Sequence, residues 1–277
     1  MDRRTFVGTS GLLLAGTLLG GVPIVGGKSG KRKMEADGLG FPLMDLHVHR
    51  SSELSMEEIL ETSRNLNLKI GVMENVAPWG ITCDEQLKAY LDAMKHYPVY
   101  VGLQLMSPGW SKGLSADLVA QVDYVAMDPQ VVEKGNGYGE TVRVWEYTAY
   151  IDDSETFMER NMAHCLDILI GDEPLDIFAC PLFLPACIQR EYETLWTKER
   201  MRQLIDAARV RGIAIEINDT AHVPHEEFVC MAKRAGLKFA FGSDTRSHTL
   251  GRLDYCKRIA KNCRLTEKDF FIPKKSK

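Results

Sequence analysis

No G-x-G-x-x-G loop follows the first β-type run, no two cysteines have C-x-x-C spacing, and the 277 residues carry a formal net charge of only -4. The missing glycine loop removes the usual argument for a dinucleotide-binding open sheet. The missing cysteine motif, with an odd total of seven cysteines, argues against a disulfide scaffold. Near-neutral charge supplies no basic footprint, so neither nucleic acid nor an anionic membrane surface is favoured as a partner. An apolar fraction of 45% suffices for a sizeable core, and no Gly/Ser-rich linker divides the chain after its first segment.

That first segment, residues 1–37, has a composition of its own. Arg3 and Arg4 precede Thr5, Phe6 and Val7, and a mildly apolar run rich in glycine and leucine extends to about Gly27. The string DRRTFVG resembles a twin-arginine export signal, which implies passage of a folded domain to the periplasm. An ordinary secretory signal or an uncleaved N-terminal anchor is the alternative. Cleavage is expected near residues 25 to 37.

From residue 38 to 277 one domain is expected, in which β-type runs alternate with amphipathic helical stretches. The runs are FPLMDLHVH, KIGVMEN, VYVGLQL, DYVAM, LDIFA, IAIEIN and KFAFGSD. Ser55 with Glu58, and Thr82 with Glu85, have the spacing of capping boxes ahead of two helices. Further helices are expected from Ser154 to Gly171, over 198–211, from Pro224 to Gly236 and over 250–263. Residues 128–152 form the longest irregular stretch and contain Tyr138, Trp145, Tyr147 and Tyr150. Seven β/α units imply a (β/α)7 TIM-like barrel of mostly parallel strands, with an open doubly wound sheet as runner-up.

A barrel builds its active site at the C-terminal ends of its strands, and here every end is polar or nucleophilic. In order these are His47 and His49, Glu74 and Asn75, Gln104, Asp128, Cys180, Glu216 and Asn218, and Asp244. Residues two apart on a strand share a side, so His47 and His49 can present both imidazoles to one cation. Asp244 supplies a carboxylate from the last strand, where metal ligation competes with capping of a following helix. Two histidines and one carboxylate leave positions open to water, which is the arrangement of a catalytic ion. His222 and His225, after the sixth strand, are within reach of the same mouth or simply solvated. Trp79, Trp110 and the aromatics of the long loop either wall a pocket or pack.

DLHVH at 45–49 with the SMEEIL helix, IEIND, and AKRAGLKFAFGSDTRSH at 232–248 resemble the polymerase and histidinol phosphatase (PHP) family of metal-dependent, phosphoesterase-like barrels. The likeness covers most of 41–270 and is concentrated in the first and last units. It implies a metal set that includes His47, His49 and Asp244, with Gln104 where the family has a bridging glutamate and Cys180 at a histidine position. The Asp-His pair expected after the second strand reads Glu74-Asn75, Asp128 falls near another histidine position, and Arg246 replaces the histidine two residues after the late aspartate. Family members hold up to three metals. A neutral Gln104 removes the counter-charge for a second cation, so one zinc or manganese ion is expected.

These readings converge on a metal-dependent hydrolase, with a phosphoester as the bond that the resemblance favours. Glu74 or Asp128 takes the proton of the attacking water, and Arg246 binds a phosphate or carboxylate of a small anionic substrate. Two alternatives stand beside it. One is a barrel that has lost turnover and binds a ligand, motivated by Asn75, Gln104 and Arg246. The other is a mononuclear amidohydrolase-like centre acting on a C–N or lactone bond.

Overall fold

A computed structural model describes residues 39–135 and 138–274. The expected export signal lies outside the described residues. Seven strands pair in parallel in chain order: β1 (Met44–Val48), β2 (Lys69–Asn75), β3 (Tyr100–Leu105), β4 (Tyr124–Met127), β7 (Ile177–Phe178), β8 (Ala214–Asn218) and β9 (Phe239–Gly242). The first and last strands approach each other at their C-terminal ends. A parallel bridge joins Val48 to Thr245, and the His49 amide donates to the Thr245 carbonyl at 3.0 Å. The result is a nearly closed TIM-like α/β barrel, which is the expected architecture, and the open-sheet alternative falls.

Strand alternation sorts the apolar residues into two cores. Leu46, Met73, Tyr100, Tyr124, Ala126 and Ala240 fill the barrel interior. Their strand neighbours, such as Val72, Leu103, Ile215 and Phe241, face the surrounding helices. Tyr124 reaches across the interior and donates its hydroxyl to the Leu46 carbonyl at 2.7 Å, so its polar tip is satisfied in a dry core.

Helices α1 (Met56–Leu66), α2 (Asp84–Met94), α3 (Ala116–Val119), α4 (Ser154–Ile170), α5 (Tyr192–Leu195), α6 (Lys198–Arg211), α7 (Glu226–Arg234) and α8 (Asp254–Asn262) occupy the connections. The Ser55–Glu58 box forms as the spacing predicts. The second box does not: Cys83 is the N-cap of α2, and Thr82 directs both its amide and its hydroxyl to Gln86 Oε1. Two further findings depart from the sequence reading. The stretch expected to be irregular holds an antiparallel hairpin, β5 (Val131–Glu133) with β6 (Thr141–Arg143). A disulfide joins Cys230 on α7 to Cys263 at the end of α8, although the cysteine pattern had given no sign of a bridge.

Candidate metal centre

His47 and His49 leave the end of β1 on the same side, with ring centroids 5.3 Å apart. The register of β1 against β2 shifts between Asp45 and Val48, and such an irregularity re-aims side chains at a strand end. Asp45, fully buried, accepts from the His47 amide at 3.3 Å and the Ser243 amide at 2.9 Å. It thereby fixes the two strand ends that carry the ligands. Asp244 follows β9 with φ 50°, a left-handed conformation that costs a non-glycine residue on the order of 1 kcal/mol. No helix starts at Asp244, so the capping alternative falls: the next helix, α8, begins at Asp254.

One ligand atom from each of His47, His49 and Asp244 lies within 4.8 Å of the other two. The Nε2 atoms of both histidines are buried and lack a hydrogen-bond partner. His47 Nε2 is 3.3 Å from Asp244 Oδ1, without the alignment of a hydrogen bond. Buried nitrogens left unpaired are costly, on the order of 1–3 kcal/mol each, and a cation between them removes that cost. The residues present therefore fit a divalent metal.

The opposite ring nitrogen of His47 is occupied: Nδ1 meets Glu216 Oε1 at 2.6 Å. A carboxylate behind an imidazole fixes its tautomer and raises its basicity as a ligand. Glu216 is itself pinned, accepting at Oε2 from the Cys180 amide at 2.7 Å and from Asn218 Nδ2 at 3.1 Å. Gly242 makes room for this pair, since a Cβ there would overlap both Glu216 Oε1 and His47 Cβ. From the sequence Glu216 is only one polar residue among several at strand ends, with no role assigned to it. Its signal was a charged residue at an inward position of IAIEIN.

The buried charges of the cluster act on one another. Burial works against a charge on His47, but the Glu216 and Asp244 carboxylates overcome it and lift His47 to about 10. Burial, then the charge on His47 and on Arg246, lowers His49 to about 2, so its imidazole stays neutral. Burial raises Asp128 to about 7.

The remaining candidates surround the cluster at different depths. Gln104 donates through Nε2 to Asp128 Oδ2 at 2.6 Å, leaving Gln104 Oε1 and Asp128 Oδ1 buried and unpaired. Cys180, with φ 38°, is buried, and burial followed by the charges of Asp128 and Glu216 pushes its thiol well above the usual range. It stands outside the three-residue cluster and receives Asn218 Nδ2 at 3.0 Å. Glu74 is not brought to the cluster. It lies on β2 between Met73 and Asn75, and its carboxylate is 3.9 Å from Arg50. Arg246, half-exposed, donates to Asp244 Oδ1 at 2.8 Å. His222 and His225 stack on Tyr255 and Tyr192 and line a separate cavity. Trp110 is buried. Trp79 and Trp145 do wall the mouth, in a cavity of about 440 Å³ whose floor includes Gln104, Asp128 and Asp244.

No family model and no curated sequence matches the chain. Among solved structures, histidinol phosphate phosphatase from Lactococcus lactis subsp. lactis Il1403, solved with zinc, L-histidinol and phosphate, is similar at a TM-score of 0.52 and 16% identity. The match covers 80% of this chain and 93% of that one. An archaeal ribonuclease P with mature tRNA matches at a TM-score of 0.38 and 11% identity, over 83% of this chain and 94% of that one, too low to bear on the fold. The likeness is one of fold: this chain is similar in its barrel to that phosphatase.

Proposed function

We propose that the chain is a metal-dependent hydrolase of phosphoester bonds in small anionic substrates, and that it works outside the cytoplasm. The observation that carries the reading is the convergence of His47, His49 and Asp244, with two imidazole nitrogens otherwise unpaired, at the mouth of the barrel. Two nitrogens and a carboxylate oxygen are a donor set suited to zinc, with manganese as the alternative. When bound, such an ion polarises the scissile group and lowers the pKa of its water.

The chain's own residues supply the rest. Glu216 holds His47 in the tautomer that leaves Nε2 as a donor. Asp128, kept in place by Gln104, has its second oxygen without a hydrogen-bond partner, borders the same cavity as Asp244 and is placed to take up a proton. Of the two residues expected in that role, Glu74 and Asp128, it is Asp128 that borders this cavity. Arg246 is exposed enough to turn from Asp244 to the substrate phosphate, which it binds with two parallel N–H donors. Export through the twin-arginine route is supported by the DRRTFVG string and by the Cys230–Cys263 bridge, because such bridges persist in oxidising compartments.

One observation favours a second reading, a barrel that binds an anionic ligand without turnover: the Arg246 guanidinium already neutralises Asp244. Metal analysis of protein purified without added metal, paired with phosphomonoesterase assays, separates the two. The proposal expects one zinc or manganese per chain and turnover that His47→Ala abolishes together with the metal. Turnover by metal-free protein defeats it, and a full complement of metal with no turnover of any ester leaves the binding reading.

A further inference from the structure

Two tryptophans stand at the mouth of the barrel with about two-fifths of their surface exposed, in a chain that buries its other two. Trp79 comes from the turn after β2 and Trp145 from the segment after the β5–β6 hairpin. Their rings meet edge to face, 5.9 Å apart at 84°. The Arg143 guanidinium lies over the Trp79 ring at 5.0 Å, and Arg143 and Arg246 border the same cavity as the two indoles.

Both indoles are held by buried structure. Trp145 follows Val144, which is 3% exposed and whose amide donates to the Gln130 carbonyl at 2.9 Å. The Trp79 turn folds back on β2: the Ile81 amide donates to the Asn75 carbonyl at 2.8 Å and the Ala77 amide to the Ile81 carbonyl at 2.8 Å. Gly80 permits that approach, since a Cβ there would overlap the Asn75 carbonyl. Exposed indoles anchored in this way are not packing residues that failed to find a core. They form a pre-ordered surface, which lowers the entropic cost of binding a partner.

Resting on the hydrolase reading of the same cavity, we infer that this wall is a specificity subsite for the organic part of the substrate and that it selects a flat ring joined to an anionic group. The indoles supply faces and edges for stacking, and the guanidinia of Arg143 and Arg246 supply charge and parallel donors for the anion. A cavity of about 440 Å³ holds a monocyclic phosphate ester and leaves little space for a polymer. A bare alkyl phosphate engages the ion and the guanidinia and leaves the aromatic wall untouched. Ring stacking on an indole is worth roughly a tenfold gain in affinity.

The test is calorimetric titration of the zinc-loaded protein with phenyl phosphate and with methyl phosphate, for the wild type, Trp145→Ala and Trp79→Ala. Circular dichroism checks that the variants stay folded. The subsite predicts that the wild type prefers phenyl phosphate by roughly tenfold and that each substitution brings the ratio toward one. A wild-type ratio near one, or a ratio that survives both substitutions, overturns it. Turnover read on the same samples keeps the two ideas apart. A ring preference without hydrolysis retains the subsite and removes the esterase, and hydrolysis of both esters with no preference does the reverse.

Discussion

Replacing Glu216 by glutamine changes one atom type at a position that is 3% exposed, and the hydrogen-bond pattern fixes the consequence. The carboxylate accepts on every side: from His47 Nδ1 at Oε1, and from the Cys180 amide and Asn218 Nδ2 at Oε2. An amide cannot. If its oxygen faces His47, its NH2 group meets two donors, and a buried donor left unpaired costs about 1–3 kcal/mol. If it turns over, NH2 faces Nδ1, which must then accept. That moves the imidazole proton to Nε2, where the metal should bind. Either way the site loses the negative charge that supports His47. Loss of a carboxylate behind a histidine ligand typically lowers metal affinity 10- to 100-fold, about 1.4–2.7 kcal/mol. Zinc competition against a chromophoric chelator measures this directly, and thermal unfolding of the metal-free variant reports the stability cost separately. A glutamine variant that binds zinc within twofold of wild type refutes the reasoning, because His47 would then not depend on Glu216 for its orientation.

Three further outcomes are expected. Arg246→Ala should raise the KM for a phosphate ester roughly 10- to 100-fold, the value of a charge-assisted pair, while zinc affinity holds or tightens as Asp244 is released; an unchanged KM removes Arg246 from anion binding. Glu173 accepts from the Gly109 and Ser111 amides at 2.6 and 2.9 Å, and although burial acts to raise it, the Ser111 and Gly109 bonds hold it below the usual carboxylate range. A depressed folded pKa contributes stability that is present above the ordinary carboxylate value and lost as pH falls through the lower one. Glu173→Gln should therefore unfold about 1 kcal/mol more easily at neutral pH, a figure discounted for its exposure, and the gap should close in acid; a gap independent of pH contradicts this. Changing Arg3 and Arg4 together to lysine should leave the protein in the cytoplasm on fractionation, and unchanged export sinks the twin-arginine proposal.

The strands were readable because their apolar runs are long enough for the two-residue period to show. KIGVMEN coincides with β2, and the seven expected strands form in order. The hairpin was not, because strands of three residues next to Gly135 and Gly139 carry too little alternation to register. The histidine pair and Asp244 could be placed from strand ends alone, since the barrel gathers those ends at one mouth. Partners that depend on long-range closure were not visible. Glu216 meets His47 across 169 positions, and the Cys230–Cys263 bridge needs the relative placement of two helices. Glu74 ends a strand as the sequence indicates, but which way its side chain faces depends on strand alternation, which turns Met73 into the barrel interior and sets Glu74 near Arg50. Thr82 was matched to Glu85 by spacing, whereas the helix begins late enough for Gln86 to answer it instead.

The most direct measurement is an anomalous difference map at the zinc edge from crystals of the zinc-loaded protein. The account predicts one strong peak per chain, at roughly 2.0–2.2 Å from His47 Nε2, His49 Nε2 and a carboxylate oxygen of Asp244. No peak there, or an ion held by other residues while these three side chains keep their own contacts, contradicts it.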